Sequence, residues 1–341
     1  MSRAIVLALL AGAFSACERG GPTVVLYTSV DDAFSRPIVE RFEKETGIRV
    51  EAVYDAEAVK TIGLMSRLLR EKDRPRADVF WSSEIAAAAI LEEAGVLEPY
   101  ASPAAAGIPE ALRPPGRAWT GFAERARVLV YNKSRVSEAE RPRSILDLAD
   151  ARFRGEAAIS NPLFGTSATH AGALRARLGG ERMEAFFRSL AENGVKVLAG
   201  NSVVRDRVAS GELKIGLTDT DDACVALESG LPISIVFPDQ DVPFPGLDEP
   251  LGTFLFPTTA AIVSKGPHPE AARRLLDYLV GSETEEALAR SDAAHIPVRS
   301  GLAPPRSLAV PPALRRMDVP AAAIARGLED SLEFLEGLYL Q

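Results

Sequence analysis

Residues 23–54, TVVLYTSVDDAFSRPIVERFEKETGIRVEAVY, decide the fold. TVVLYTSV (23–30) is an apolar, β-branched run and is read as a strand. Pro37, Ile38, Val39 and Phe42 then follow a helical pattern that Gly47 ends. IRVEAVY (48–54) is a second strand. The alternation continues. Ile62, Met65, Leu68 and Leu69 keep a helical period, ADVFWSS (77–83) is a third strand, and EIAAAAILEEAG is a short helix closed by Gly95. Strand, helix, strand, helix predicts an α/β fold with a mostly parallel sheet, whose ligand-binding loops follow the strands.

A Pro-rich stretch around 102–119 reads as irregular. TGFAERARVLVYNK (120–133) reads as a long strand, and a second α/β series follows, up to PISIVFPD. TFLFPTTAAIVSKG is another long strand, and helices close the chain. Two α/β series joined by two long apolar segments, around 119–131 and 253–263, predict two lobes with a cleft between them. The alternative is one large doubly wound domain. The expected division is residues 23–118 plus 264–341 for the first lobe and 119–263 for the second.

The chain has 341 residues and a formal net charge of −8. That length suits two domains, and that charge argues against nucleic-acid binding, which needs a basic face. The start, MSRAIVLALLAGAFSAC, carries Arg3 and an apolar run to Phe14 that is too short to span a bilayer. It fits a secretory signal over residues 1–16, with small residues before Cys17 resembling a lipobox. The expectation is a lipid on Cys17, a tether over 17–22, and a periplasmic or cell-surface protein anchored to the membrane. Ordinary signal cleavage is the alternative. Cys224 is the other cysteine and reads as a small core residue.

No GxSxG, HExxH, P-loop or GxGxxG motif occurs, and His170, His268 and His295 lack metal-ligand spacing. Three strand-to-helix turns carry the candidate chemistry. NPLFGTSATHAGAL (161–174) places Thr166, Ser167 and Thr169 where free N–H groups and hydroxyls could hold an anion. AGNSVVRDRV (199–208) places Asn201 and Ser202 in a similar turn, with Arg205 one turn on. In both, simple helix capping is the competing explanation. GLTDTDDA (216–223) brings Asp219, Asp221 and Asp222 together. One acid suffices for a cap, and three repel one another unless a cation is near. They are therefore either a cap with solvated neighbours or one wall of a cleft facing a cation.

Taken in order, VVLYTSVDDAFSRPIVERFEKETGIRVEAVY, ADVFWSSEIAAAAILEEAGVLEPY, TGFAERARVLVYNK, ISNPLFGTSATHAGAL, IGLTDTDDA and AAIVSKGPHPEAARRLLDYLVGSETEEALA resemble the solute-binding proteins of ABC importers, and most of all the periplasmic ferric-ion-binding proteins. The resemblance implies a type II-like periplasmic-binding-protein fold, two crossover strands as hinge, no catalytic residue, and delivery of a ligand to an inner-membrane permease by a monomer. By position it implies ligand contacts at Thr28, Ser29 and Asp31, at Trp81, Ser82, Ser83 and Glu84, at Thr166, Ser167 and Ala168, at Asn201, and at Asp219, Asp221 and Asp222. Asp221 and Asp222 stand where ferric-binding relatives carry adjacent tyrosines. Two ligands are therefore carried forward. One is a small charged organic molecule, such as an aminophosphonate-like zwitterion, with its cationic end at the acids and its anionic end at Thr166 and Ser167. The other is Fe³⁺ held by Asp221, Asp222 and Glu84 with a bound anion, as transported cargo and not a cofactor. From another class, a secreted hydrolase using Asp219, Asp221 or Glu84 lacks any visible nucleophile.

Overall fold

A computed structural model describes residues 21–55 and 62–340. The expected lipidation site, Cys17, lies outside them. The elements in chain order are β1 (Thr23–Thr28), α1 (Asp32–Thr46), β2 (Arg49–Tyr54), α2 (Ile62–Arg70), β3 (Val79–Ser82), α3 (Ile85–Glu93), β4 (Leu97–Glu98), β5 (Thr120–Asn132), β6 (Ala157–Ser160), α4 (Gly165–Leu178), α5 (Gly180–Glu192), β7 (Lys196–Leu198), α6 (Asn201–Ala209), β8 (Ile215–Asp219), α7 (Thr220–Glu228), β9 (Ile233–Val236), β10 (Leu255–Val263), α8 (Pro269–Leu279), α9 (Ser282–Arg290) and α10 (Ala321–Tyr339).

The opening stretch folds as its pattern predicts. Val24 and Leu26 of β1 are fully buried, and α1 turns Ile38, Val39 and Phe42 inward. Gly47 ends α1 at a φ of 71° with its N–H on the Glu43 carbonyl, a left-handed cap that costs least without a Cβ. β1 pairs in parallel with β2 and β3.

The strand order is β2-β1-β3-β10-β5-β8-β6-β7, with β4 on β10 and β9 on β5. Its centre is an antiparallel pair. Residues 120–126 of β5 run beside 255–260 of β10, with a register shift between Pro257 and Thr258. From Arg127 onward β5 pairs instead with β8 and β9. One thirteen-residue strand thus leaves the first sheet and enters the second. The architecture is α/β in two lobes, with β5 crossing between them and β10 paired along its first half.

The C-terminal part ties the two sets of elements together. Glu124 and Ile296 exchange backbone hydrogen bonds at 2.8 and 2.6 Å across β5. Helix α10 packs along α4 and also touches α3. Gly172 and Gly327 permit this close approach, since a Cβ on Gly172 would lie 2.7 Å from the Ile324 carbonyl oxygen. Among the described residues no helix is long and apolar enough to cross a membrane.

Candidate functional site

Helices α3, α4, α6 and α7 all start at one cavity, because each follows a strand whose C-terminal end points there: β3, β6, β7 and β8. The cavity holds about 480 Å³. Its walls include Asp31 and Phe34 from the first strand–helix turn, Ser83 and Glu84 before α3, Thr166 on α4, and Asn201 and Arg205 on α6. Arg125 of β5, the acids Asp219, Asp221 and Asp222, and His295 complete the polar lining.

Asp219 sits at the cap position of α7, yet its side chain caps nothing. It turns to Arg127, whose Nη1 donates to Asp219 Oδ1 at 2.6 Å. Thr166 Oγ1 and Asn201 Nδ2 donate to Asp219 Oδ2 at 2.7 and 2.9 Å. Arg127 Nη1 also donates to Asn201 Oδ1 at 2.8 Å, and Nη2 to Ser167 Oγ at 3.1 Å. Ser160 Oγ donates to Asn201 Oδ1 at 2.6 Å and also meets Ser167 Oγ. The hydroxyls of Thr166 and Ser167 are thus engaged by an internal ion pair, and neither caps α4, whose cap position is Phe164.

The next acids face other cations. Arg125 Nη1 donates to Asp221 Oδ2 at 2.9 Å and lies 3.8 Å from Asp219 Oδ2. Asp222 Oδ1 lies 3.5 Å from Arg205 Nη1. The carboxylate oxygens of Asp219, Asp221 and Asp222 converge within 4.8 Å of one another. Burial raises the cost of charge on Asp221, but Arg125, together with smaller contributions that include the Asp222 N–H, holds that carboxyl below the usual range. Burial and the charges of Asp221 and Asp219 push Asp222 well above it.

Among the described residues, three polar atoms at the cavity have no partner: Glu84 Oε2, Asp221 Oδ1 and His295 Nδ1. Glu84 is only 2% exposed and His295 only 4%. Burial pushes the Glu84 carboxyl up to about 7, with Arg125 opposing the shift. Burial and the nearby Arg125 bring His295 down to about 3, so its ring is neutral with a lone pair to offer. Buried polar atoms without partners are uncommon and call for a ligand, ion or water. The three converging acids can hold a cation, and Glu84 and His295 add unpartnered polar atoms to the same cavity. Arg205 and Arg125 beside them can take an anion.

The residues singled out from sequence divide into two sets. Asp31, Ser83, Glu84, Thr166, Asn201, Asp219, Asp221 and Asp222 line the cavity. Thr28, Ser29, Trp81, Ser82, Ser167 and Ala168 are buried behind it. Ser29 Oγ donates to Ser82 Oγ at 3.4 Å and accepts from the Ser83 N–H at 3.0 Å, which shapes the turn before α3. Trp81 donates from Nε1 to Thr258 Oγ1 at 3.0 Å and stacks on Phe122, joining β3 to the crossover strands. Sequence reasoning missed Arg125 and Arg127 and set His295 aside for want of metal-ligand spacing. The signal was available: two arginines at alternate positions of an apolar strand share one face and need partners.

A family model described as bacterial extracellular solute-binding protein matches residues 74–324. Iron uptake protein A1 of Synechocystis is 27% identical over 294 residues, covering 83% of this chain and 78% of that protein. The Fe(3+)-binding periplasmic protein of Serratia marcescens is 25% identical over 308 residues, covering 89% and 86%. The solved apo ferric ion-binding protein A of Pasteurella haemolytica superposes with a TM-score of 0.82 at 21% identity, covering 93% of this chain and 98% of that one. With most of its length matched by the family model and its two-lobed fold shared, the chain belongs to the bacterial extracellular solute-binding proteins.

Proposed function

We infer that the protein captures ferric iron in the interlobe cavity, through carboxylates in place of tyrosinates, and delivers it to the permease of an ABC importer. One observation carries this: the oxygens of Asp219, Asp221 and Asp222 lie within 4.8 Å of one another, beside the unpartnered Glu84 Oε2 and Asp221 Oδ1. Hard, highly charged cations take oxygen ligands. Asp219 already accepts from Arg127, Thr166 and Asn201, so it completes the acidic wall while Asp221, Asp222 and Glu84 are the proposed ligands. Arg205 at the rim can hold an accompanying anion. The named iron proteins among the relatives support the same cargo. A lipid on Cys17 would keep the protein at the membrane beside its permease.

The organic zwitterion has one observation in its favour. Arg125 and Arg205 line the cavity with the acids, and among the described residues no tyrosine lines it. The anionic end would then meet Arg205, since Thr166 and Ser167 are occupied by Asp219 and Arg127.

Native mass spectrometry with metal analysis, on protein purified without chelator and then titrated with ferric citrate, separates the two. Retained iron at one ion per chain is the expected result. A co-purified organic mass, with no iron uptake from citrate, would reject iron as the cargo.

A further inference from the structure

Arg125 touches both sides of the cavity. Its Nη1 donates to Asp221 Oδ2 at 2.9 Å on the second lobe. Its Nη2 donates to the Ser83 carbonyl at 3.1 Å, just past a first-lobe strand. The guanidinium lies over the Phe256 ring of β10, 4.9 Å from its centroid. A guanidinium carries a permanent charge and cannot vacate the site by losing its proton. It satisfies only part of its surroundings: it uses one oxygen of Asp221 and leaves Asp221 Oδ1, Glu84 Oε2 and His295 Nδ1 without partners.

We propose that Arg125 is a resident cation that stands in the acidic wall in place of cargo, and that an entering metal must displace its guanidinium from Asp221. This rests on iron capture as the function. The contact lies in the same carboxylate that a metal would need, so metal and guanidinium compete for it. Releasing the guanidinium costs the same for every metal, whereas attraction to the carboxylates grows with the charge of the ion. Arg125 therefore sets a threshold of affinity that trivalent ions clear and divalent ions do not. It also keeps the acidic wall neutralised before cargo arrives, with Ser83 and Phe256 holding the displaced end near the hinge.

The test titrates wild type, R125Q and R125K with Ga³⁺, a redox-inert stand-in for Fe³⁺, and with Mn²⁺. R125Q should bind both ions more tightly, by roughly ten- to a hundredfold, the value of a charged hydrogen bond no longer broken on binding. R125K keeps the charge and should stay near wild type. A role confined to folding would move melting temperatures without tightening metal binding. In wild type, the Arg125 side-chain NMR signals, assigned by comparison with R125K, should shift on adding diamagnetic Ga³⁺, and this readout holds even where R125Q folds poorly. Equal or weaker Ga³⁺ binding by R125Q, or Arg125 signals unmoved by bound Ga³⁺, overturns the proposal and leaves iron capture standing. Absence of Ga³⁺ and Fe³⁺ binding by both wild type and R125Q overturns both.

Discussion

Asp219 and Arg127 form a fully buried ion pair, 2.6 Å between Oδ1 and Nη1, inside the turn where three acids meet. The pair is supported by Thr166, Ser167 and Asn201, so each charge has several hydrogen bonds besides the other charge. Removing one member leaves the other buried without its counter-charge. Asp219→Ala should therefore destabilise the metal-free protein by about 3–5 kcal/mol, read by urea unfolding. Replacing both members by apolar residues of similar size should cost less than either single change. A loss below about 1 kcal/mol for Asp219→Ala would mean that water reaches the pair.

Asp222 carries the opposite balance. Burial and its acidic neighbours push its carboxyl well above the usual range, so ionising it at neutral pH works against folding. Asp222→Asn should leave the metal-free protein at least as stable as wild type, while ferric affinity falls by about 1.5–3 kcal/mol for the lost charged contact. Isothermal titration beside thermal melts separates the two effects. Unchanged affinity would assign Asp222 to the helix terminus alone.

The fold was legible because its evidence is local. β1 shows its burial in six residues, and α1 shows its period and stop between Asp32 and Gly47. The acids were legible for the same reason, since they are neighbours in sequence. Their partners were not. Arg127 meets Asp219 across 92 positions and Arg125 meets Asp221 across 96, pairings made only when β5 aligns against β8. The turn after β3 was found but resolved too coarsely. Ser83 and Glu84 lie past the strand and reach the cavity, whereas Trp81 and Ser82 lie within it and are buried.

The crossing of α4 and α10 tolerates no side chain at its centre. A Cβ on Gly172 would meet the Ile324 carbonyl and the Leu328 N–H at 2.7 Å, and one on Gly327 would press on the Gly172 carbonyl. These are backbone atoms in two helices, so relief requires the helices to part. Gly172→Ala should destabilise by about 1–3 kcal/mol despite better intrinsic helix propensity. A Gly172→Ala protein with unchanged or higher stability would show that α10 does not pack on α4 at this distance.

Asp239 offers a pH dependence away from the cavity. Its carboxyl is buried, with Ser144 Oγ at 2.5 Å from Oδ1, and burial pushes its pKa up to about 7. A carboxyl raised on folding binds its proton more tightly in the native state. Its contribution is therefore full below the unfolded value near 4 and is lost as pH rises through about 7. Chemical denaturation between pH 4 and 8 should show wild-type stability declining across that window by a few kcal/mol at most. Asp239→Asn carries no titrating group there and should flatten the decline. An identical pH slope in the two proteins would mean that Asp239 titrates normally, and that water enters the loop it shares with Ser144.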